Sequence, residues 1–131
     1  KGTMRGEVVG GNLSILYSNL GTKTILDTNK KILFLEDLDE YLYHVDRMMM
    51  AMKRAHKLNT LAGIIVGGMS DMKDNTVPFG KTAEEIIREH ADAYDYPVCF
   101  GFPAGHFPDN RSIFMGRSAV VQVGDTVTFR Q

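Results

Sequence analysis

Apolar residues along this chain fall into two patterns, continuous runs and spaced repeats, and the two alternate. Ile32-Leu33-Phe34-Leu35 is apolar without a break, which predicts a strand covered on both faces. Ala62-Gly63-Ile64-Ile65-Val66-Gly67-Gly68 reads as a second buried strand, closed by its glycine pair, and residues 97–100 as a shorter third. Glu7-Val8-Val9 predicts a short strand before them. The spaced repeats lie between these runs. Leu13, Leu16, Tyr17 and Leu20 predict a helix over 13–20, entered by a Gly10-Gly11-Asn12 turn with Asn12 as N-cap and stopped at Gly21. Leu42, Val45, Met49 and Met52 line one face of a second helix, with Asp39 as its cap and Glu40 in its first turn. Met48, Met49, Met50 and Met52 read as core filler at this spacing, although such a cluster also suits a promiscuous binding surface. Thr82-Ala83-Glu84-Glu85 is a capping box, and Ile86, Ile87, Ala91 and Tyr94 give its helix an apolar face. The last third is strand-like: 113–115, then 119–123, then a Gly124-Asp125 turn into 126–129. Strand and helix thus alternate three times before a run of strands. This predicts one α/β domain over residues 1–131, a mixed sheet or small open barrel with about three helices packed on it.

Composition narrows the function classes. Fifteen basic residues against sixteen acidic ones leave a net charge of −1. With no basic run, nucleic acid and anionic membrane surfaces are poor partners. No apolar run approaches the roughly 20 residues that span a bilayer, and no signal peptide is visible. The single cysteine, Cys99, lies in an apolar run and reads as a small buried hydrophobe, which fits a reducing compartment. An apolar strand follows Lys1-Gly2-Thr3-Met4-Arg5-Gly6 almost at once. That start is the expected form of a domain cut from a longer protein.

Two acids, Glu36 and Asp37, end the central strand. They read as acids placed where a strand meets a helix N-terminus, a position that favours negative charge. Glu36 has a second reading, as a carboxylate that accepts a hydrogen bond from an imidazole and fixes its tautomer. The candidate imidazole is His106, held after Pro103-Ala104-Gly105 and before Phe107-Pro108. It reads equally as a general base or as a loop histidine bonded to backbone. His44, His56 and His90 fall in helical segments without a His-x-x-x-His pair or a cysteine cluster, so no metal site or other cofactor is expected. The serines are Ser14, Ser18, Ser70, Ser112 and Ser118. None lies in a Gly-x-Ser-x-Gly elbow, and Ser14 and Ser18 read as solvent-facing. The Gly10-Gly11-Asn12 segment lacks a Walker lysine. Its Gly11 can bring backbone close to a substrate and its Asn12 amide can bond one, with Gly105 a third substrate-binding candidate.

Taken in order, Gly10-Gly11-Asn12-Leu13, Gly21-Thr22, Ile32-Leu33-Phe34-Leu35-Glu36-Asp37, Tyr43-His44-Val45-Asp46-Arg47-Met48, Gly63-Ile64-Ile65-Val66-Gly67 and Pro103-Ala104-Gly105-His106 resemble the LD-carboxypeptidases. These are serine peptidases that trim murein tetrapeptides, and the microcin C self-immunity peptidases are close relatives. The resemblance runs from Gly6 to about Gly116. It implies a C-terminal domain of swivelling β/β/α-like fold, with Glu36 as the triad glutamate and His106 as the triad histidine. The nucleophilic serine and the oxyanion hole would lie in an N-terminal domain outside this chain. The implied reaction is hydrolysis of the amide between meso-diaminopimelate and terminal D-alanine, in the cytoplasm, during peptidoglycan recycling. The implied partners are the murein peptide, the N-terminal domain and a second copy in a homodimer. Cofactors are not implied.

Two other readings stay open. Swivelling domains can carry a phosphoryl group on a histidine, and Gly105 before His106 is compatible with that. The absence of a Thr-x-Gly-Gly lead and of a small-residue helix after the histidine speaks against it. A binding module without catalysis is the third reading.

Overall fold

The computed structural model describes residues 1–131. Its strands are β1 (Gly2–Asn12), β2 (Ile32–Leu38), β3 (Gly63–Ser70), β4 (Val98–Cys99), β5 (Ser118–Val123) and β6 (Val127–Arg130). Its helices are α1 (Leu13–Ser18), α2 (Leu42–Arg54) and α3 (Ala83–Ala91). The sheet order is β4-β3-β2-β1-β5-β6. The first four strands in chain order run parallel, and β5 and β6 are antiparallel additions. Each parallel step moves in the same direction across the sheet. Right-handed crossovers then put all three helices on one face. The opposite face curls on itself into a mixed sheet nearly closed as a barrel. Phe102, just past β4, meets Phe129 of β6 edge-on across the seam, with ring centroids 5.1 Å apart.

Side-chain alternation along the central strands builds two cores from one sheet. Leu33, Leu35, Ile64 and Val66 face the helices and pack with Leu13, Val45, Met48, Met49, Met52, Ile86 and Ile87. Ile32, Phe34 and Ile65 face the barrel interior and pack with Met4, Val8, Cys99, Ala104, Ala119 and Val121. This is why the runs in β2 and β3 are continuously apolar rather than alternating. The methionines of α2 fill the core as expected, apart from Met50, which is exposed.

Several local expectations need correction. β1 is not a three-residue strand ended by a glycine turn. It runs straight through Gly10 and Gly11, pairing antiparallel with β5 over Gly2–Glu7 and parallel with β2 over Val8–Asn12. Gly10 serves close approach, because a Cβ there would lie 2.1 Å from the Phe34 carbonyl oxygen. β2 extends past Leu35 to Leu38, so Glu36 and Asp37 are buried inside the strand. The glycine pair of β3 likewise sits inside its strand. α1 stops at Ser18, before the expected Leu20. α2 is preceded by Tyr41 at the N-cap, and neither Asp39 nor Glu40 enters its first turn. Asp39 turns the chain at φ 63° and pairs with Lys73 at 2.6 Å, while the Leu42 amide donates to the Lys73 carbonyl oxygen. That backbone partner does the work expected of the Asp39 side chain. Residues 113–115 form no strand.

The capping box at α3 is present in full. The Thr82 hydroxyl accepts from the Glu85 amide at 3.2 Å, and the Glu85 carboxylate accepts from the Thr82 amide at 2.7 Å. The backbone and hydroxyl of Thr82 hold the Glu85 carboxyl below its ordinary value of 4.5. A depressed folded-state value means this stabilisation is present above pH 4.5 and fades as the pH falls below it. Thr82→Ala is expected to cost about 1 kcal/mol, read as a fall of a few degrees in thermal midpoint. An unchanged midpoint would show that α3 is held by its apolar face alone. No helix is long and apolar enough to cross a membrane.

Candidate active site

The site begins at a break in the sheet. β2 and β3 pair in step up to Leu35 and Val66, but Asp37 pairs with Met69. β3 therefore carries one extra residue at its Gly67-Gly68 pair, which makes a bulge opposite Glu36. The segment after β4 fills the space. The Phe102 amide donates to the Val66 carbonyl at 3.0 Å, and the Gly68 amide donates to the Ala104 carbonyl at 3.0 Å. The loop leaves no room for a side chain at Gly67 or Gly68. A Cβ on Gly67 would lie 2.2 Å from the Ala104 oxygen, and one on Gly68 would lie 2.3 Å from the Phe107 ring. The glycine pair is there to seat this loop.

The loop delivers His106 to Glu36. His106 Nδ1 and Glu36 Oε2 are 2.5 Å apart. The residues are 70 positions apart in sequence. The Glu36 side chain is 8% exposed and the His106 side chain 51%. Gly105 lies against the carboxylate, where a Cβ would be 2.8 Å from Glu36 Cβ and 3.0 Å from Oε2. The loop is fixed by further bonds. The Gly105 amide donates to Asn110 Oδ1 at 3.1 Å, the Arg111 amide donates to the Pro103 carbonyl at 2.8 Å, and Ser70 Oγ donates to the His106 carbonyl. An ionised carboxylate offers only acceptors, so Nδ1 carries a hydrogen, and in the neutral ring the lone pair is then on Nε2. Nε2 has no hydrogen-bond partner in the chain. The arrangement is an oriented imidazole with its basic nitrogen turned to an outside partner.

A family model described as LD-carboxypeptidase C-terminal domain matches residues 5–121. The chain belongs to the LD-carboxypeptidase family. It is 35% identical over 128 residues to a probable murein peptide carboxypeptidase of Bacillus subtilis, covering 95% of this chain and 39% of that protein. It is 30% identical over 123 residues to the murein tetrapeptide carboxypeptidase of Pseudomonas aeruginosa, covering 93% of this chain and 39% of that protein. Among solved structures, a muramoyltetrapeptide carboxypeptidase from Oxalobacter formigenes superposes with a TM-score of 0.85 at 26% identity, covering 95% of this chain and 43% of that one. The protein MccF in complex with glutamyl sulfamoyl guanosine superposes with a TM-score of 0.81 at 25% identity, covering 92% and 36%. The chain thus spans about two fifths of the length of these curated relatives.

The remaining residues of interest in this LD-carboxypeptidase domain lie around the dyad. Asn12 is the β1 partner of Glu36 in register and caps α1. Its Oδ1 accepts from the Ile15 amide at 3.2 Å and its Nδ2 donates to Asp37 Oδ1 at 2.9 Å. One Nδ2 hydrogen remains for a ligand. Gly11 faces open space. Ser14 is not simply solvent-facing, since its hydroxyl bonds Asp37 and approaches Glu40. Asp37 is the residue that pattern reading undervalued, because its partners lie 23 and 25 residues away. No group of three or more histidine, cysteine, aspartate or glutamate side chains is gathered as a metal site. A cleft of about 440 Å³ lies at the barrel seam between Cys99, Phe102, Pro103, Arg111, Val127 and Phe129 and does not include the dyad. Burial raises the Cys99 thiol above its ordinary value, which keeps it unreactive.

Proposed function

We propose that this chain is the glutamate–histidine half of a serine-type LD-carboxypeptidase. The observation that carries the reading is the 2.5 Å contact between His106 Nδ1 and a buried Glu36, with Nε2 left unpartnered. An orienting acid, an oriented base and a nucleophile make a triad, and no serine of this chain supplies the third member. Ser70 is the one serine bonded to His106, and its hydroxyl is committed to the His106 carbonyl. On this reading the nucleophile and oxyanion donors lie outside this chain, in the N-terminal domain that the resemblance to LD-carboxypeptidases implies.

In the reaction, His106 Nε2 takes the proton of the incoming serine hydroxyl as the serine oxygen bonds to the scissile carbonyl carbon. Glu36 stabilises the imidazolium that forms. The C–N bond then breaks, the proton passes from His106 to the leaving amine, and water hydrolyses the acyl-enzyme through the same histidine. The leaving group is D-alanine and the acyl side is the L-centre of meso-diaminopimelate. The curated relatives named as murein peptide and murein tetrapeptide carboxypeptidases, at 35% and 30% identity, support a murein peptide as the substrate.

Triad members act as a unit, so a chain without the nucleophile has nothing to acylate. The isolated 131-residue chain is expected to release no D-alanine from murein tetrapeptide above a Glu36→Ala control. A protein joining it to the N-terminal domain is expected to do so. Release by the isolated chain would overturn the division of the triad between domains.

A further inference from the structure

The two acids at the end of β2 point to opposite faces of the sheet, as neighbouring strand residues must. Glu36 faces the barrel side and meets His106. Asp37 faces the helix side and is 2% exposed. It accepts from the Ser14 amide at 3.0 Å, Ser14 Oγ at 2.9 Å, Asn12 Nδ2 at 2.9 Å and its neighbour's amide, Leu38 N, at 2.9 Å. None of these donors is a cation, and Asp37 forms no ion pair. Held by four neutral donors, this carboxylate satisfies backbone and side-chain groups that would otherwise lose their acceptor.

The sheet explains what else it does. At Glu36 the ladder to β3 is interrupted by the bulge, so Glu36 has a register partner only on β1, where it pairs with Asn12. Asn12 is the residue whose side chain donates to Asp37. The three donors from Asn12 and Ser14 all come from the junction of β1 and α1, and all converge on the residue next to Glu36. The carboxylate thus replaces, from behind, the cross-strand fixing that the bulge removes in front.

We propose that Asp37 is a positioning residue, whose carboxylate clamps the β1–α1 junction to the end of β2 and so fixes where Glu36 meets His106. Its effect on turnover rests on the triad reading above, but its effect on the dyad does not. Ser14 is the second member of the clamp. Its single hydroxyl hydrogen goes to Asp37 at 2.9 Å in preference to Glu40 at 3.2 Å.

The test reads the dyad directly in the 131-residue chain. A proton shared with a carboxylate at this distance gives a downfield NMR signal, assigned to His106 Nδ1 by its loss in His106→Ala. Asp37→Asn and Ser14→Ala are expected to shift that signal upfield or broaden it by faster exchange, with the remaining amide spectrum native. Thr82→Ala, which weakens α3 away from the site, is expected to leave it unchanged. In the two-domain protein, Asp37→Asn is expected to lower kcat by up to roughly 10²-fold, as small misplacements of a reacting group do, with KM unchanged. A His106 signal at its wild-type position in both variants, accompanied only by a lower thermal midpoint, would make Asp37 purely structural and overturn the proposal. If Asp37→Asn does not fold, Ser14→Ala decides on the same readout. Normal turnover in Glu36→Gln would instead remove the triad reading and leave the NMR result on Asp37 to stand by itself.

Discussion

In a protein joining this chain to the nucleophile domain proposed above, Glu36→Gln is expected to lower kcat by about 10⁴-fold, the scale set by acid-to-amide exchange in serine-protease triads, while KM and the thermal midpoint barely move. The substitution keeps the shape of the side chain. It changes what the buried group offers to His106 Nδ1. A carboxylate accepts only, which forces a hydrogen onto Nδ1 and, in the neutral ring, the lone pair onto Nε2. A glutamine amide can turn its NH₂ toward Nδ1, which moves the hydrogen to Nε2 and disables the base. The positive imidazolium formed during acylation also loses its counter-charge in a site where water does not replace it, Glu36 being 8% exposed. Stability is not expected to suffer, because a neutral amide is easier to bury than a carboxylate. The check is steady-state D-alanine release with parallel thermal melts. Activity within a few-fold of wild type would remove Glu36 from the triad.

The sequence made the central layer of this fold readable, because its signals are local. An uninterrupted apolar run is visible within β2 itself, and the Thr82–Glu85 box is complete within four residues. Asn12 as a cap is equally local, its Oδ1 reaching the Ile15 amide three residues on. The misreadings share a different cause. Gly10 and Gly11 look like a turn because glycine pairs usually are one. Their real reason is the Phe34 carbonyl, which sits in the neighbouring strand and is invisible in the local pattern. Asp39 was the natural cap for α2, yet the Lys73 carbonyl supplies that bond from a distant loop. Residues 113–115 have strand-like composition, but β5 already occupies the free edge of β1. At the site, Glu36 and His106 were each identifiable as candidates, attached to separate strands that β3 divides in the sheet. Their contact, and the clamp behind it, depend on the β3 bulge. A glycine pair announces that something comes close without saying what.

That close approach sets up the second large effect. Gly105→Ala is expected to separate His106 from Glu36, with a loss of kcat of at least roughly 10²-fold and a destabilisation of about 1–3 kcal/mol. Gly105 sits at φ 110°, a backbone angle that alanine resists. The added methyl would also lie 2.8 Å from Glu36 Cβ and 3.0 Å from Oε2, the oxygen that accepts the His106 hydrogen bond. Glu36 has little room to retreat, since it belongs to a strand buried on both sides. The loop must therefore yield, and it carries His106 with it. Backbone strain and steric displacement can be told apart within this same loop. Gly101 also has a positive φ, 65°, but a Cβ there meets nothing within 4 Å. Gly101→Ala is thus expected to cost about 1–2 kcal/mol in stability and to leave both kcat and the His106 Nδ1 signal near their wild-type values. Equal losses of kcat in the two variants would mean that the loop's flexibility, rather than the fit of Gly105 against the carboxylate, governs the dyad. An intact dyad in Gly105→Ala would mean that β2 gives way more easily than its burial implies.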